Sequence, residues 1–232
     1  MPDAGKSFSA EEVAEVLAKY PGLTVNAAGE VEGILDIDAA YKGRRIQDSY
    51  VVRIAASNPH SERLPALYEV GGRTENVGKK YNVPDLRHLH RNPDGIACVC
   101  VKQEESRLFP PGSRLVFFVD RLVVDYLYGL SHYDQFKKWP WGEFSHGVLG
   151  LLEFYVDDIK PQSSESIAEV LASMQRNPSW PKVRKQLRSP SSKRDCFCGS
   201  GNGLGRCHNL AWRGLQRFRG EIARLNLFHL IR

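Results

Sequence analysis

Apolar positions near the start of the chain recur at helical spacing. Val13, Val16, Leu17 and Tyr20 fall on one face, and Pro21-Gly22 ends the run. Ser9-Ala-Glu-Glu12 ahead of them is a capping-box pattern, so the spacing predicts a short amphipathic helix docked on the body. The period then changes. Residues 31–37 and 48–55 are rich in β-branched side chains and read as two strands, with the polar, glycine-containing residues 39–45 as the hairpin loop between them. Residues 64–70 read as a third strand, with Pro65 at its start, where a ladder amide is least missed. Residues 71–84 read as a loop. Three meandering strands after a helix predict an α+β fold with an antiparallel sheet.

Residues 114–128 are long enough for a helix with Leu115, Phe118, Leu122 and Tyr126 on one face, although their β-branched content argues against it. An aromatic loop over 139–147 precedes the apolar run 148–156, and the body is expected to close near Lys160. Beyond it, Ile167, Val170, Leu171 and Met174 form a helical stripe after Ser163 and Ser164, stopped by Asn177-Pro178. Residues 178–195, basic and rich in Pro and Ser, read as a linker. A last helix starts near Asn209, with Leu210, Leu215, Phe218, Ile222 and Leu225 as its apolar stripe. The expected organisation is an N-terminal helix over 1–22, a main domain over 23–160, a helix and basic linker over 161–194, and a cysteine-bearing tail with a basic helix over 195–232.

Composition alters this picture at two points. Apolar content of 42% and charged content of 25% are ordinary for a globular protein. No apolar run approaches the roughly 20 residues needed to cross a bilayer. The first residues contain no secretory h-region, so a cytoplasmic location without a membrane partner is expected. Charge, in contrast, is uneven. Residues 161–232 hold 13 Lys and Arg against 4 Asp and Glu, and residues 1–160 hold 19 against 23, so a body at −4 carries a tail at +9. The tail is the part expected to meet an acidic surface, nucleic acid included.

The five cysteines lie in two tight groups, 98/100 and 196/198/207, which favours metal binding or thiol chemistry over a disulfide framework. The first group follows His88-Leu-His90-Arg-Asn92-Pro-Asp-Gly95. A free thiol has a pKa of about 8.5 and becomes a nucleophile when its thiolate is stabilised or a base is close. Asn92 can donate to the oxyanion formed when a thioester is attacked. His90 can organise the loop or accept a proton, while His88 serves as local scaffolding. Pro93-Asp94-Gly95 favours a tight turn that folds the His-Arg-Asn segment back toward Cys98. Cysteine is also among the most buried residue types, so residues 97–101 can equally form a plain core strand. His146, in the aromatic loop, is a secondary candidate.

The stretch resembles the active-site region of ubiquitin-conjugating enzymes, whose pattern is His-Pro-Asn followed by a Gly, one or two residues and the catalytic Cys. His90-Arg91-Asn92 is similar to that tripeptide, and Gly95-Ile-Ala-Cys98 to the segment carrying the cysteine. The likeness is greatest to the bacterial ubiquitin-conjugating-enzyme-like proteins of antiphage defence operons, whose His-to-Cys spacing is short. The aromatic stretch ending in His146-Gly147 also resembles a segment of that group, and the resemblance covers roughly residues 25–158. It implies a ubiquitin-conjugating fold, with a meander sheet flanked by helices, and a cysteine-dependent transfer enzyme. Such an enzyme receives a ubiquitin-like modifier from an activating-enzyme-like protein as a thioester and passes it to a protein acceptor. It assigns Cys98 as nucleophile, Asn92 as oxyanion donor and His90 as loop organiser. Two departures stand out: Arg91 replaces the middle proline, and Cys100 lies on the same face of an extended segment, so spacing alone does not choose between the thiols.

Cys196, Cys198, Cys207 and His208 offer three thiolates and one imidazole within thirteen residues, a closed tetrahedral zinc set of structural type. Glycines at 199, 201, 203 and 205 permit a tight wrapping turn. The pattern resembles the SEC-C zinc motif at every ligand position, which implies a docking element for protein partners. Three functions follow as expectations: a conjugating enzyme with a zinc-bearing tail, a catalytically silent adaptor of the same fold, or a zinc-tailed nucleic-acid-binding protein.

Overall fold

A computed structural model describes residues 6–141, 145, 147–157 and 162–231. The chain divides into two compact units, Met1–Gly142 and Glu143–Arg232.

The first unit opens with helix α1 (Ala10–Lys19), capped as its sequence predicts. Glu12 N–H donates to Ser9 Oγ at 3.2 Å, and Ser9 N–H donates back to Glu12 Oε2 at 3.0 Å. Strands β1 (Leu23–Val25), β2 (Val31–Tyr41), β3 (Arg44–Ala55) and β4 (Ala66–Glu69) form an antiparallel sheet in sequential order. The β2–β3 ribbon runs further than its composition suggests. The connecting turn is only Lys42-Gly43, both at positive φ (48° and 79°), as the two-residue turn matching strand twist requires. β1 is too short to carry a periodic signal and was not anticipated. Alternation along β2 and β3 sends Val31, Leu35, Ile37, Tyr50, Val52 and Ile54 into the core and Ile34, Asp36, Asp38, Gln47, Ser49 and Val51 outward.

Residues 71–84 are not a loop throughout: Arg73–Lys80 forms helix α2. Its composition is almost wholly polar, so the apolar periodicity that reveals a helix is missing. Its support is polar and tertiary. The buried Glu69 carboxylate accepts from Thr74 N–H (2.8 Å) and Thr74 Oγ (3.0 Å), near the helix N-terminus. Arg73 pairs with Asp48 and Asp134, and Lys80 with Asp134. After the short helix α3 (Glu105–Leu108), helix α4 (Leu115–Phe118) passes through a π turn, Val119–Val123, into α5 (Val124–Phe136). Leu115, Phe118, Leu122 and Tyr126 pack into the core as their spacing predicts. Burial overrides the weak propensity of the β-branched residues between them.

In the second unit, α6 (Val148–Asp157), α7 (Ser164–Gln175), α8 (Trp180–Arg188), the short α9 (Leu204–Cys207) and α10 (Asn209–Arg224) surround a core that includes Leu152, Ile167, Met174, Leu187 and Phe218. The apolar run 148–156, assigned from sequence to the main domain, lies in this unit. The expected linker also contains α8. Pro181 stands in its first turn, where no intrahelical bond needs an N–H, and Val183 and Leu187, one turn apart, are fully buried. Leu210 points outward at 52% exposure, and Ala211 and Gly214 take its place on the buried face of α10 beside Leu215, Phe218 and Ile222.

Candidate thiol site and candidate metal centre

The segment leading to the first thiols is a small ribbon laid on β4. Leu86–Leu89 forms a single 3-10 turn, and His90, left-handed at φ 53°, reverses the chain out of it. Asn92 N–H donates to Ile96 O and Gly95 N–H to Asn92 O, both at 2.9 Å, so Pro93-Asp94-Gly95 makes the tight turn expected of it, with Gly95 at φ 88°. Arg91 then bridges Ala97, and Cys98 N–H donates to His90 O at 2.7 Å. The far arm is held by β4, through the Tyr68–Ile96 bridge and Ala97 N–H to Leu67 O at 2.8 Å. Ile96 and Ala97 are buried, whereas Cys98 is exposed and Cys100 half-buried. The plain core strand through 97–101 is therefore absent: pairing stops at Cys98, and the following residues turn into 3-10 and α-helical turns.

Aromatic packing props the other arm. Trp139, buried, meets the His90 ring edge-on at 4.6 Å between centroids, and its Nε1–H donates to His88 O at 3.4 Å. Gly129 on α5 makes room for it, since a Cβ there would stand 2.2 Å from Trp139 Cζ3. Arg91 pairs with Glu75 of α2 at 2.9 Å.

The surroundings of both thiols favour the protonated form. The Cys98 residue is open to solvent on one side, but its sulfur is crowded on the other. That desolvation first, and the Glu105 carboxylate second, push its pKa up. Cys100 is pushed up to about 12 by burial, then by Glu105 and by Cys98 itself. Glu105 is fixed in place by Ser61, whose hydroxyl donates to Oε2 at 2.8 Å. Sequence spacing gave no sign of Glu75, whose partner Arg91 lies on another element, and Glu105, though only five residues beyond Cys100, falls outside the His-to-Cys pattern. Among the described residues the Asn92 side chain has no hydrogen-bond partner, and the Cys98 Sγ contact is to Cys100 O at 3.6 Å. His146 lies outside the described residues.

The second cysteine group comes together as its spacing predicts. The ligand atoms of Cys196, Cys198, Cys207 and His208 lie within 4.8 Å of one another, close enough to bind a metal ion. Cys196 Sγ is 3.1 Å from His208 Nδ1, and Cys198 Sγ is 3.5 Å from Cys207 Sγ. A tetrahedron of ligands at roughly 2.0–2.3 Å from a central ion has edges in this range. Gly199 and Gly201 take positive φ (79° and 73°) in the wrapping turn, and Cys196 N–H closes it on Asn202 O at 2.7 Å. Gly203 and Gly205 act differently, allowing Ser192 to approach within 2.8 and 2.7 Å of where their Cβ atoms would be. The Ser200 hydroxyl lowers the Cys198 pKa to about 6, and burial raises that of Cys196 to about 12. A bound cation favours the thiolate at every sulfur ligand.

Much of the tail's positive charge is engaged internally. Arg188 donates to Ile231 O (2.6 Å), Arg217 to Val156 O (3.1 Å), Arg219 to Leu187 O (2.9 Å) and Arg224 to Gln162 O (2.6 Å). These guanidiniums spend donors on backbone carbonyls of the unit, which leaves fewer of their N–H groups for a partner.

No family model matches the chain, and no curated protein or solved structure matches it. Its class rests on the geometry: a four-stranded antiparallel sheet flanked by helices, and a cluster of three cysteines and a histidine able to bind a metal. No helix among the described residues is long and apolar enough to cross a membrane.

Proposed function

We propose that the first unit is a ubiquitin-conjugating-type domain that carries a ubiquitin-like protein on Cys98 as a thioester, and that the second holds a structural zinc ion on Cys196, Cys198, Cys207 and His208. The observation that carries the first part is the ribbon. Its tight turn and the Cys98–His90 backbone bond bring the His-Arg-Asn segment alongside an exposed thiol on a buried base. The Asn92 amide, without a hydrogen-bond partner among the described residues, is available to an incoming oxyanion.

In this reading the modifier arrives from an activating-enzyme-like protein as a thioester. Cys98 Sγ loses its proton to solvent and attacks the carbonyl, a new C–S bond forms, and the partner's thiolate leaves. An acceptor nucleophile, such as an amine, then attacks the same carbon and the Asn92 N–H donates to the oxygen that becomes negative. Collapse expels the Cys98 thiolate, and the amine's surplus proton passes to water. No electron transfer is involved. Cys196, Cys198, Cys207 and His208 would hold the zinc ion with four protein ligands, a full set for a structural site, so the metal would supply folding energy rather than chemistry. A role in antiphage defence and the ubiquitin-like class of the modifier rest on the sequence resemblance.

One observation favours the silent-adaptor reading instead: the thiol is raised in pKa, with Glu105 working against the thiolate. Incubation with a ubiquitin-like protein bearing an activated C-terminal thioester separates the two. The carrier reading expects a dithiothreitol-sensitive adduct that is lost in Cys98→Ala and kept in Cys100→Ala. The opposite pattern moves the nucleophile to Cys100, and no adduct in any form of the protein sinks the carrier reading.

A further inference from the structure

A second surface of the first unit, at the β2–β3 hairpin tip and the C-terminal end of α5, combines seated aromatic rings with cations that pair with no carboxylate among the described residues. Trp141 is 44% exposed and Phe136 38% exposed. Trp141 is not loosely attached. Its ring stacks on Tyr128 (centroids 6.2 Å, 29° between planes) and meets Tyr41 edge-on at 5.8 Å. Gly129, in mid-helix, makes the seat: a Cβ there would lie 2.9 Å from Trp141 Cζ2 and closer still to Trp139. Glycine inside a helix costs roughly 0.5–1 kcal/mol relative to alanine, so the packing of these two indoles compensates for a weakened helix. A half-exposed ring held this firmly is a preformed platform.

The cations around it are of two kinds. Arg45 is bound to Asp38, and Lys80 to Asp134. Lys42, Arg44, Lys137 and Lys138, all exposed, pair with no carboxylate among the described residues. The Arg44 guanidinium lies over the Phe136 ring at 4.2 Å, and Lys42 Nζ over Tyr41 at 5.2 Å. The α5 C-terminus accounts for Lys137 and Lys138 through its dipole. It does not account for Lys42 and Arg44, which come from the hairpin, or for the exposed indole. In the tail, by contrast, Arg188, Arg217, Arg219 and Arg224 are bound to carbonyls.

We propose that this surface binds single-stranded nucleic acid, with phosphates on Lys42, Arg44, Lys137 and Lys138 and a base stacked on Trp141. A seated aromatic face beside cations is the arrangement that holds unpaired strands without reading their sequence, because every base has a π-face. Duplex offers the same phosphates but no free base face, so the single strand is the preferred form.

The test is fluorescence anisotropy of a labelled 20-nucleotide oligo-dT and oligo-U against the full chain supplied with zinc, at several salt concentrations. Micromolar binding is expected at 50 mM salt, weakening with a log–log slope of roughly −3 if four phosphates are neutralised at about −0.7 each. Trp141→Ala should weaken binding by about tenfold or more and leave the slope unchanged. Lys42→Gln/Lys138→Gln should flatten the slope by about 1.4. Far-UV circular dichroism at the assay temperature and Cys98 alkylation should match the parent for both, although Trp141→Ala, which empties the seat over Gly129, should melt earlier; this distinguishes loss of this surface from loss of the fold. The proposal is overturned by dissociation constants above 100 µM at 50 mM salt. Equal affinity for duplex, binding only to phosphatidylserine vesicles, or binding lost in Lys182→Glu/Arg184→Glu but kept in Trp141→Ala would overturn it too.

Discussion

Arg91 Nη1 lies 2.9 Å from Glu75 Oε1, tying the centre of the His-Arg-Asn segment to helix α2. The pair is largely withdrawn from solvent on the Arg91 side, and Arg91 Nη2 comes within 3.7 Å of where a Gly95 Cβ would stand, so the guanidinium also supports the turn. Glu75 Oε2 and Arg91 Nε are buried without further partners, which makes the remaining bond between the two side chains important. Glu75→Ala leaves a guanidinium half-buried and unpaired. A loss of about 1–2 kcal/mol is expected, between the values for exposed and fully buried pairs. Amide exchange should quicken over 90–98 more than over β2 and β3. Uniform acceleration across the unit would contradict an anchoring role specific to the ribbon.

Desolvation first, and Glu105 second, disfavour the thiolate at both sulfurs, so Cys98 should react slowly with iodoacetamide at pH 7, and its rate should keep climbing as pH passes through the ordinary thiol range. The sign follows from the raised pKa: the folded protein holds the proton to higher pH than a free cysteine does. Glu105→Gln removes a negative charge and should shift the rate profile to lower pH, provided Ser61 keeps its hydrogen bond to the amide. A Cys98 profile that coincides with that of a free thiol would remove Glu105 from the site.

How far the sequence carried the structure depends on whether the cause was local. The capping box at Ser9, the alternation of β2 and β3, the turn at Pro93-Asp94-Gly95 and the knuckle of Cys196, Cys198, Cys207 and His208 all arise from residues within a few positions of one another, and each was legible. Helix α2 was not, because it is held by Asp48, Glu69 and Asp134 rather than by an apolar stripe of its own. Helix α8 was hidden for a different reason. Its proline and basic residues resemble a linker until Val183 and Leu187 are recognised as one turn apart. At the thiol site, Glu75 reaches Arg91 from a separate helix, and Glu105, although only five residues past Cys100, faces the sulfurs because the chain turns into short helical segments after them, which spacing alone does not reveal.

Gly214 marks the closest approach of two helices. A Cβ at that position of α10 would come 1.6 Å from Leu152 O of α6, a backbone atom that cannot move aside without shifting the helix. Gly214→Ala raises helix propensity by up to about 1 kcal/mol, yet overpacking of this severity costs about 1–3 kcal/mol or more. Net destabilisation of the second unit is therefore expected, read as a lower chemical-denaturation midpoint. Gly220→Ala on the same helix meets nothing within 4 Å and should be neutral or stabilising. If the two variants behave alike, the α6–α10 crossing is not as tight as its geometry indicates.

Removal of the metal should be felt by the second unit before the first. The four ligand residues close the turn between α8 and α10, and Cys196 and Leu204 are fully buried in the unit's core, so the knuckle and the core share atoms. Apparent binding energies of structural zinc sites are about 10–16 kcal/mol, which is folding energy when no site exists in the unfolded chain. Elemental analysis should give one zinc per chain, lost in Cys196→Ser/Cys207→Ser. A chelator should raise proteolytic cleavage within 162–231 while leaving exchange protection of β2 and β3 intact. Ser200→Ala tests the surroundings of the site: its hydroxyl lies 3.2 Å from Cys207 Sγ, and its loss should weaken metal affinity without abolishing it. Zinc retained after both cysteine substitutions would mean that these four residues are not the ligands.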